Sequence, residues 1–254
     1  MYLIDHPTGN YRFLTGIAPY SAGVVAQPGY EIVRVTLQTP LPYVQGFALI
    51  DRYLAGQGRP VQALCAVELR LPAPLSFQGF LDFNAPYRTL LAERSLLVGD
   101  LNPVARTNIA PAVAAPAEPS LYAFSYTAPL AEATASPTFI VAGAGDLRDQ
   151  AALSPEAVVR PGEESLDALR EKVDCVMAVM AERLTGLGQG WAAATAVDLY
   201  TTRNIQPLLE AAILEPIGEA ARHGVHWFYS HPPIADLIFE MDLRGVRQEV
   251  RLGS

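Results

Sequence analysis

The chain has 254 residues, 50% of them hydrophobic and 17% charged. That supports a sizeable core and excludes wholesale disorder. A net charge of −8, with Lys and Arg scattered rather than clustered, repels a phosphate backbone and predicts no general nucleic-acid binding. No apolar run approaches the roughly 20 residues of a membrane span. Cys65 and Cys175 lie in apolar periodic segments and read as small core residues in a reducing compartment. Residues 1–15 lack a basic region followed by an apolar one, so no signal peptide is expected and the protein reads as cytoplasmic.

In chain order, residues 11–17 read as a short strand ending at glycine. Residues 30–38 alternate Ile32, Arg34, Thr36 and Gln38 with Val33, Val35 and Leu37, the period of a strand. Residues 41–54 place Val44, Phe47, Ala48, Asp51 and Leu54 at helical spacing, with Gly56 and Gly58 as stops. Residues 61–69 alternate again. A second helix over 77–91 precedes strands near 105–109 and 121–127. An Ala/Pro-rich stretch at 110–119 reads as a loop, and 129–137, small and flanked by prolines, reads as a linker.

Beyond it, 138–143 is again a strand ending at glycine. An acidic start at 161–165 suits a helix dipole. Leu166, Leu169, Val173, Val176, Met177, Met180 and Leu184 then form one apolar stripe. Strand 191–201, helix 205–221 and strands 225–229 and 237–243 follow, with a weak strand near 157–160. Each half reads β-β-α-β-α-β-β. That predicts an α+β fold of two tandem domains, 1–128 and 138–254, each with helices on one face of a mixed sheet.

Several local runs, in this order, resemble the RidA/YjgF family of imine deaminases, as two tandem copies of the family's chorismate-mutase-like fold over nearly the whole chain. Phe13-Leu-Thr-Gly16 is similar to the family's first strand, with Thr15 in place of a serine. Phe83-Asn-Ala-Pro-Tyr87 resembles the start of its second helix. Val104-Ala-Arg-Thr107 resembles the arginine signature, with Arg106 as its arginine, and Tyr122 falls where the family has a glutamate. In the second half, Ile140-Val-Ala-Gly143 resembles the glycine-ended strand. His226 stands at the arginine position, Ile238 at that of the glutamate, and Glu240 at a second acidic position.

The resemblance implies a cofactor-free trimer with sites between neighbouring domains. There an arginine binds the carboxylate of a small imino or enamino acid, and activated water hydrolyses the C–N bond. Departures in the second copy leave two further readings: a chorismatase-like enzyme acting on a cyclic carboxylate, or a non-catalytic binding or assembly protein of the same fold.

On chemistry alone, a planar guanidinium such as Arg106 suits bidentate carboxylate binding. Asn84 can orient substrate or water, or cap a helix. Thr15 and Gly16 allow close approach to the backbone and offer a hydroxyl. Tyr122, His226 and Glu240 are candidates for moving a proton to or from water. Three of the four histidines, His223, His226 and His231, fall within nine residues. Strand alternation points His226 away from the other two, which argues against a metal site. No phosphate-binding glycine loop and no nucleophile elbow occur.

Overall fold

The computed structural model describes residues 1–130 and 136–253; residues 131–135, inside the expected linker, lie outside the described set. The first half contains β1 (Leu3–Asp5), β2 (Tyr11–Leu14), β3 (Gly23–Ala26), β4 (Tyr30–Pro42), α1 (Tyr43–Gly56), β5 (Leu64–Arg70), α2 (Phe77–Glu93), β6 (Ala105–Pro111) and β7 (Ser120–Pro129). The second contains β8 (Phe139–Gly145), α3 (Leu166–Gly186) and β9 (Ala196–Tyr200). An interrupted helix follows, here α4, made of Gln206–Leu208, a wide π turn Leu209–Leu214, and Glu215–Ile217. Strands β10 (His226–Phe228), β11 (Ser230–His231), β12 (Glu240–Gly245) and β13 (Gln248–Leu252) complete it.

Two mixed sheets form, ordered β1-β2-β3-β8-β12-β9-β10 and β11-β6-β5-β7-β4-β13. Their centres share one pairing pattern. Strand β5 runs parallel to β6 and antiparallel to β7, which pairs with β4. Strand β9 runs parallel to β10 and antiparallel to β12, which pairs with β8. Yet each sheet draws strands from both sides of residues 129–137. Strand β3 pairs with β8, while β11 joins β6 and β13 joins β4.

Helices cover the outer faces. One core lies between α1, α2 and the six-stranded sheet, and another between α3, α4 and the seven-stranded sheet. A third, with Phe13, Val24, Ile32, Ala66, Ala105 and Ala142, lies between the sheets. The architecture is α+β in four layers, helices outside and sheets within.

The expected stripes largely face these cores. On α3, Leu169, Val173, Val176, Met177, Met180 and Leu184 are buried and Leu166 is exposed, because it opens the helix just after the Ser165 cap. On α1 the buried side is Gly46, Phe47, Ile50 and Leu54; Val44, counted in the predicted face, is exposed. Gly46 sits there because a Cβ would collide with Leu121 of β7. The expected helix 205–221 is interrupted: Pro216 offers no N–H to the preceding turn, and 218–223 winds as 3₁₀. Residues 191–193 are a 3₁₀ turn rather than the start of β9, and 155–157 another rather than strand. Strands β1, β3, β11 and β13 were not anticipated; β1 is a three-residue strand on β2, while β3, β11 and β13 each find a partner far along the chain. Among the described residues no helix is long and apolar enough to cross a membrane.

Candidate active site

Strand β6 pairs Arg106 with Val67 and Thr107 with Glu68. Val67 points into the helix-side core, so Arg106 and, two residues on, Asn108 turn toward α2, while Thr107 turns toward the other sheet. Helix α2 answers with Phe80, Phe83, Asn84 and Tyr87, whose spacing places them on one face. Asn84 Oδ1 accepts a hydrogen bond from Arg106 Nη2 at 2.6 Å. The guanidinium carbon lies 4.4 Å from the ring centre of Tyr87, 5.0 Å from Tyr20, 5.6 Å from Phe83 and 5.7 Å from Phe80. Four rings thus line the cation, each contributing about 0.5–2 kcal/mol of attraction.

This enclosure leaves Arg106 only 2% exposed, and its Nη1 has no partner among the described residues. Burial pulls its pKa down, partly offset by Tyr87, Tyr20 and Glu240. Nearby, Asn84 Nδ2, the Tyr87 hydroxyl and both amide atoms of Asn108 are also buried without partners. Leaving one such group unsatisfied costs about 1–3 kcal/mol, so their concentration around one arginine makes this the candidate binding site.

Glu240 opens β12 from the other sheet and is 3% exposed. Burial, then the neighbouring Asp242, raises its pKa well above the ordinary glutamate value; Arg183 and Arg106 offset only part. Burial thus favours its protonated form, which can donate a proton. Its carboxyl lies against Gly143, where a Cβ would strike both Glu240 and Thr107. The strand start is pinned by Asp146, whose Oδ1 accepts from the N–H groups of Ile238 at 3.1 Å and Phe239 at 3.2 Å. Asp146 is in turn held by Lys172, the only lysine in the chain, at 2.7 Å.

Arg106, Asn108, Glu240, Gly143, Phe80 and Tyr20 line an inner cavity of about 20 Å³. An outer cavity of about 260 Å³ is lined by Thr15, Gly16, Tyr20, Arg148, Glu182 and Arg183. Tyr20 and Gln150 belong to both. The turn that presents Tyr20 is tied down: Asn102 donates to the Pro19 carbonyl at 2.6 Å, and Ser21 to that of Pro103 at 3.1 Å.

Of the residues singled out from sequence, Arg106 and Glu240 line the inner cavity, Asn84 holds Arg106 from behind, and Thr15 and Gly16 line the outer cavity. Arg106 and Glu240 meet within one chain. Asn84 lies inside α2 and is buried; the helix cap is Ser76. His226 and Tyr122 lie elsewhere. His226 Nδ1 is 2.7 Å from Asp198, which Arg244 holds at 2.6 Å. Tyr122 lies under the Arg70 guanidinium, 3.8 Å from it. The pairing also shifts the alignment of the two halves. Val197-Asp198-Leu199 matches Val67-Glu68-Leu69, and His226, opposite Asp198, then matches Thr107 rather than Arg106. Among the described residues no three His, Cys, Asp or Glu side chains are grouped to hold a metal ion.

Tyr20, Phe80, Tyr87, Asn108 and Arg183 were not anticipated. Two had a readable signal: Asn108 lies two residues from Arg106 on a predicted strand, and Tyr87 three from Asn84 on a predicted helix. Tyr20 and Arg183 arrive through long-range packing.

Residues 3–250 match the family described as 2-aminomuconate deaminase CnbZ. A 2-amino-5-chloromuconate deaminase of Comamonas testosteroni is 40% identical over 244 residues, 96% of each chain. A chorismatase structure superposes with a TM-score of 0.49 at 13% identity, covering 89% of this chain and 77% of that one. A putative endoribonuclease of Thermotoga maritima does so with a TM-score of 0.30 at 15% identity, covering 44% and 80%. At these scores neither likeness bears on the chemistry. The near full-length match and the 40% identical relative place the chain in the 2-aminomuconate deaminase CnbZ family, and the protein is an enzyme acting on a C–N bond.

Proposed function

We propose that this protein hydrolyses the C–N bond of a 2-aminomuconate-type substrate, an unsaturated dicarboxylate whose amino group sits beside one carboxylate. Arg106 Nη1 binds that carboxylate, and the rest of the molecule extends past Tyr20 into the outer cavity. Glu240, in its protonated form, donates a proton to the enamine carbon, which turns the C–N bond into an iminium. The resulting carboxylate takes a proton from water, and the hydroxide adds to the adjacent iminium carbon, the one that bears nitrogen. The hydroxyl proton moves to nitrogen, the C–N bond breaks, and ammonia leaves behind a 2-oxo acid. Glu240 ends as it began, and no cofactor enters the balance.

The observation that carries this reading is a buried arginine N–H without a partner among the described residues, lining one pocket with a buried carboxyl whose protonated form burial favours. The RidA/YjgF-like runs agree with it, since Asn84 and Arg106 fall at this site. The repeated pairing pattern supports a tandem origin. The test is ammonia release from 2-aminomuconate by the wild type and by Arg106→Met, which keeps apolar bulk among the rings. A fall in kcat/KM of about 100-fold or more is expected in the variant, folding confirmed by melting. Unchanged release, or none from the folded wild type, overturns the reading.

A further inference from the structure

We propose that Asn108 is the residue that recognises the nitrogen of the scissile bond, with its amide oxygen accepting from the substrate amino or imino N–H. This rests on the deaminase reading above and goes beyond it by separating recognition of nitrogen from recognition of carboxylate.

The side chain is 4% exposed, and neither amide atom has a partner among the described residues. It shares a face of β6 with Arg106 and lines the same inner cavity as Glu240. The unpartnered groups lining that cavity, and that of Asn84 bound to Arg106 beside it, differ in kind. Arg106 Nη1 and Asn84 Nδ2 can only donate, whereas Asn108 Oδ1 can only accept. A pocket for a carboxylate alone needs donors and nothing else. A buried acceptor beside them calls for a ligand that also brings an N–H, and a carboxylate with nitrogen on the adjacent carbon brings both. Asn108 Nδ2 remains to hold the attacking water or the developing hydroxyl on that same carbon. An inner cavity of about 20 Å³ accommodates a group of that size but not the dicarboxylate itself.

This assignment also explains why a group that costs stability is kept. An asparagine with both amide atoms buried and unsatisfied weakens the fold, so an apolar replacement of similar size removes a penalty. A structural asparagine behaves in the opposite way.

The experiment compares wild type with Asn108→Leu and Asn108→Asp in three measurements: kcat/KM for 2-aminomuconate, the inhibition constant of muconate, and the melting temperature. Muconate carries the same diacid skeleton without nitrogen. Asn108→Leu is expected to lower kcat/KM roughly 10- to 100-fold. It should leave muconate inhibition within about 3-fold of wild type and hold or raise the melting temperature. Asn108→Asp keeps an acceptor and should recover part of the loss. The proposal is overturned if muconate binding weakens in step with kcat/KM, if Asn108→Leu leaves kcat/KM unchanged, or if the variant melts markedly lower. A wild type that binds muconate yet releases no ammonia removes the deaminase reading itself, and this assignment with it.

Discussion

Glu240 differs from an ordinary surface glutamate because its strand carries it into a closed site. Burial strips most of its hydration, Asp242 lies two residues away on the same face, and the guanidinium groups of Arg106 and Arg183 compensate incompletely. Glu240→Gln preserves shape and a hydrogen-bond donor but cannot cycle a proton. We expect kcat to fall by about 10²–10⁴-fold while muconate inhibition stays close to wild type. A variant with near-normal turnover removes Glu240 from the chemistry. At this scale much was legible beforehand. Arg106, Asn84 and Glu240 were all named from local sequence, since a guanidinium, an amide and a strand carboxylate are recognisable alone. Tyr122 and His226 were placed by counting along strands, and counting fails at irregularities. The register of β7 with both β4 and β5 shifts at Tyr122. The pairing of His226 with Asp198 sets the second half one residue out of the assumed alignment.

Among the elements, α2 and β8 do most to shape the site. Helix α2 brings one stripe, Phe80, Phe83, Asn84 and Tyr87, against β6, and its periodicity was visible in the sequence. The contribution of β8 is an absence of side chain: at Gly143 the strand passes so close to Glu240 and Thr107 that no Cβ fits. Gly143→Ala should therefore cost about 1–3 kcal/mol of stability through overpacking. It should also lower kcat/KM by displacing Glu240, as urea unfolding and steady-state kinetics would reveal. A variant with wild-type stability and turnover refutes the close approach. The sequence marked this glycine only as a strand end. Its real constraint comes from a strand almost 100 residues later.

Across the whole molecule, the two sheets share a charged layer that neither half could bury alone. Asp198 is held by Arg244, Arg244 by Glu249, and Glu249 by Arg34, which also binds Glu68. Asp242 belongs to this layer, accepts from the Tyr200 hydroxyl at 3.1 Å, and is pushed up to about 8, first by burial and then by Asp198 and Glu68. A carboxyl whose folded pKa is raised stabilises fully below its unfolded value and loses that contribution as pH climbs through the folded one. Wild-type stability should thus decline from about pH 4 to about pH 8, by at most roughly 1.4 kcal/mol per pH unit from this group. Asp242→Asn should flatten part of that slope, with Glu240 supplying the remainder in the same direction. Denaturant titrations at several pH values measure it, and an identical slope in the variant rejects the assignment.

Local pattern in the sequence was enough to determine the α+β class and the order of the main helices and strands, and to single out the arginine of the candidate site. Those features depend on periodicity, turn residues and side-chain chemistry within a few positions. Tertiary structure alone decided that strands cross between the sheets, that Tyr20 and Arg183 border the site, and that Arg106 faces Glu240 inside one chain. It also decided which carboxyls have raised pKa values. The reason is physical: strand partners, burial and pKa depend on groups brought together from distant parts of the chain, and no local window contains them.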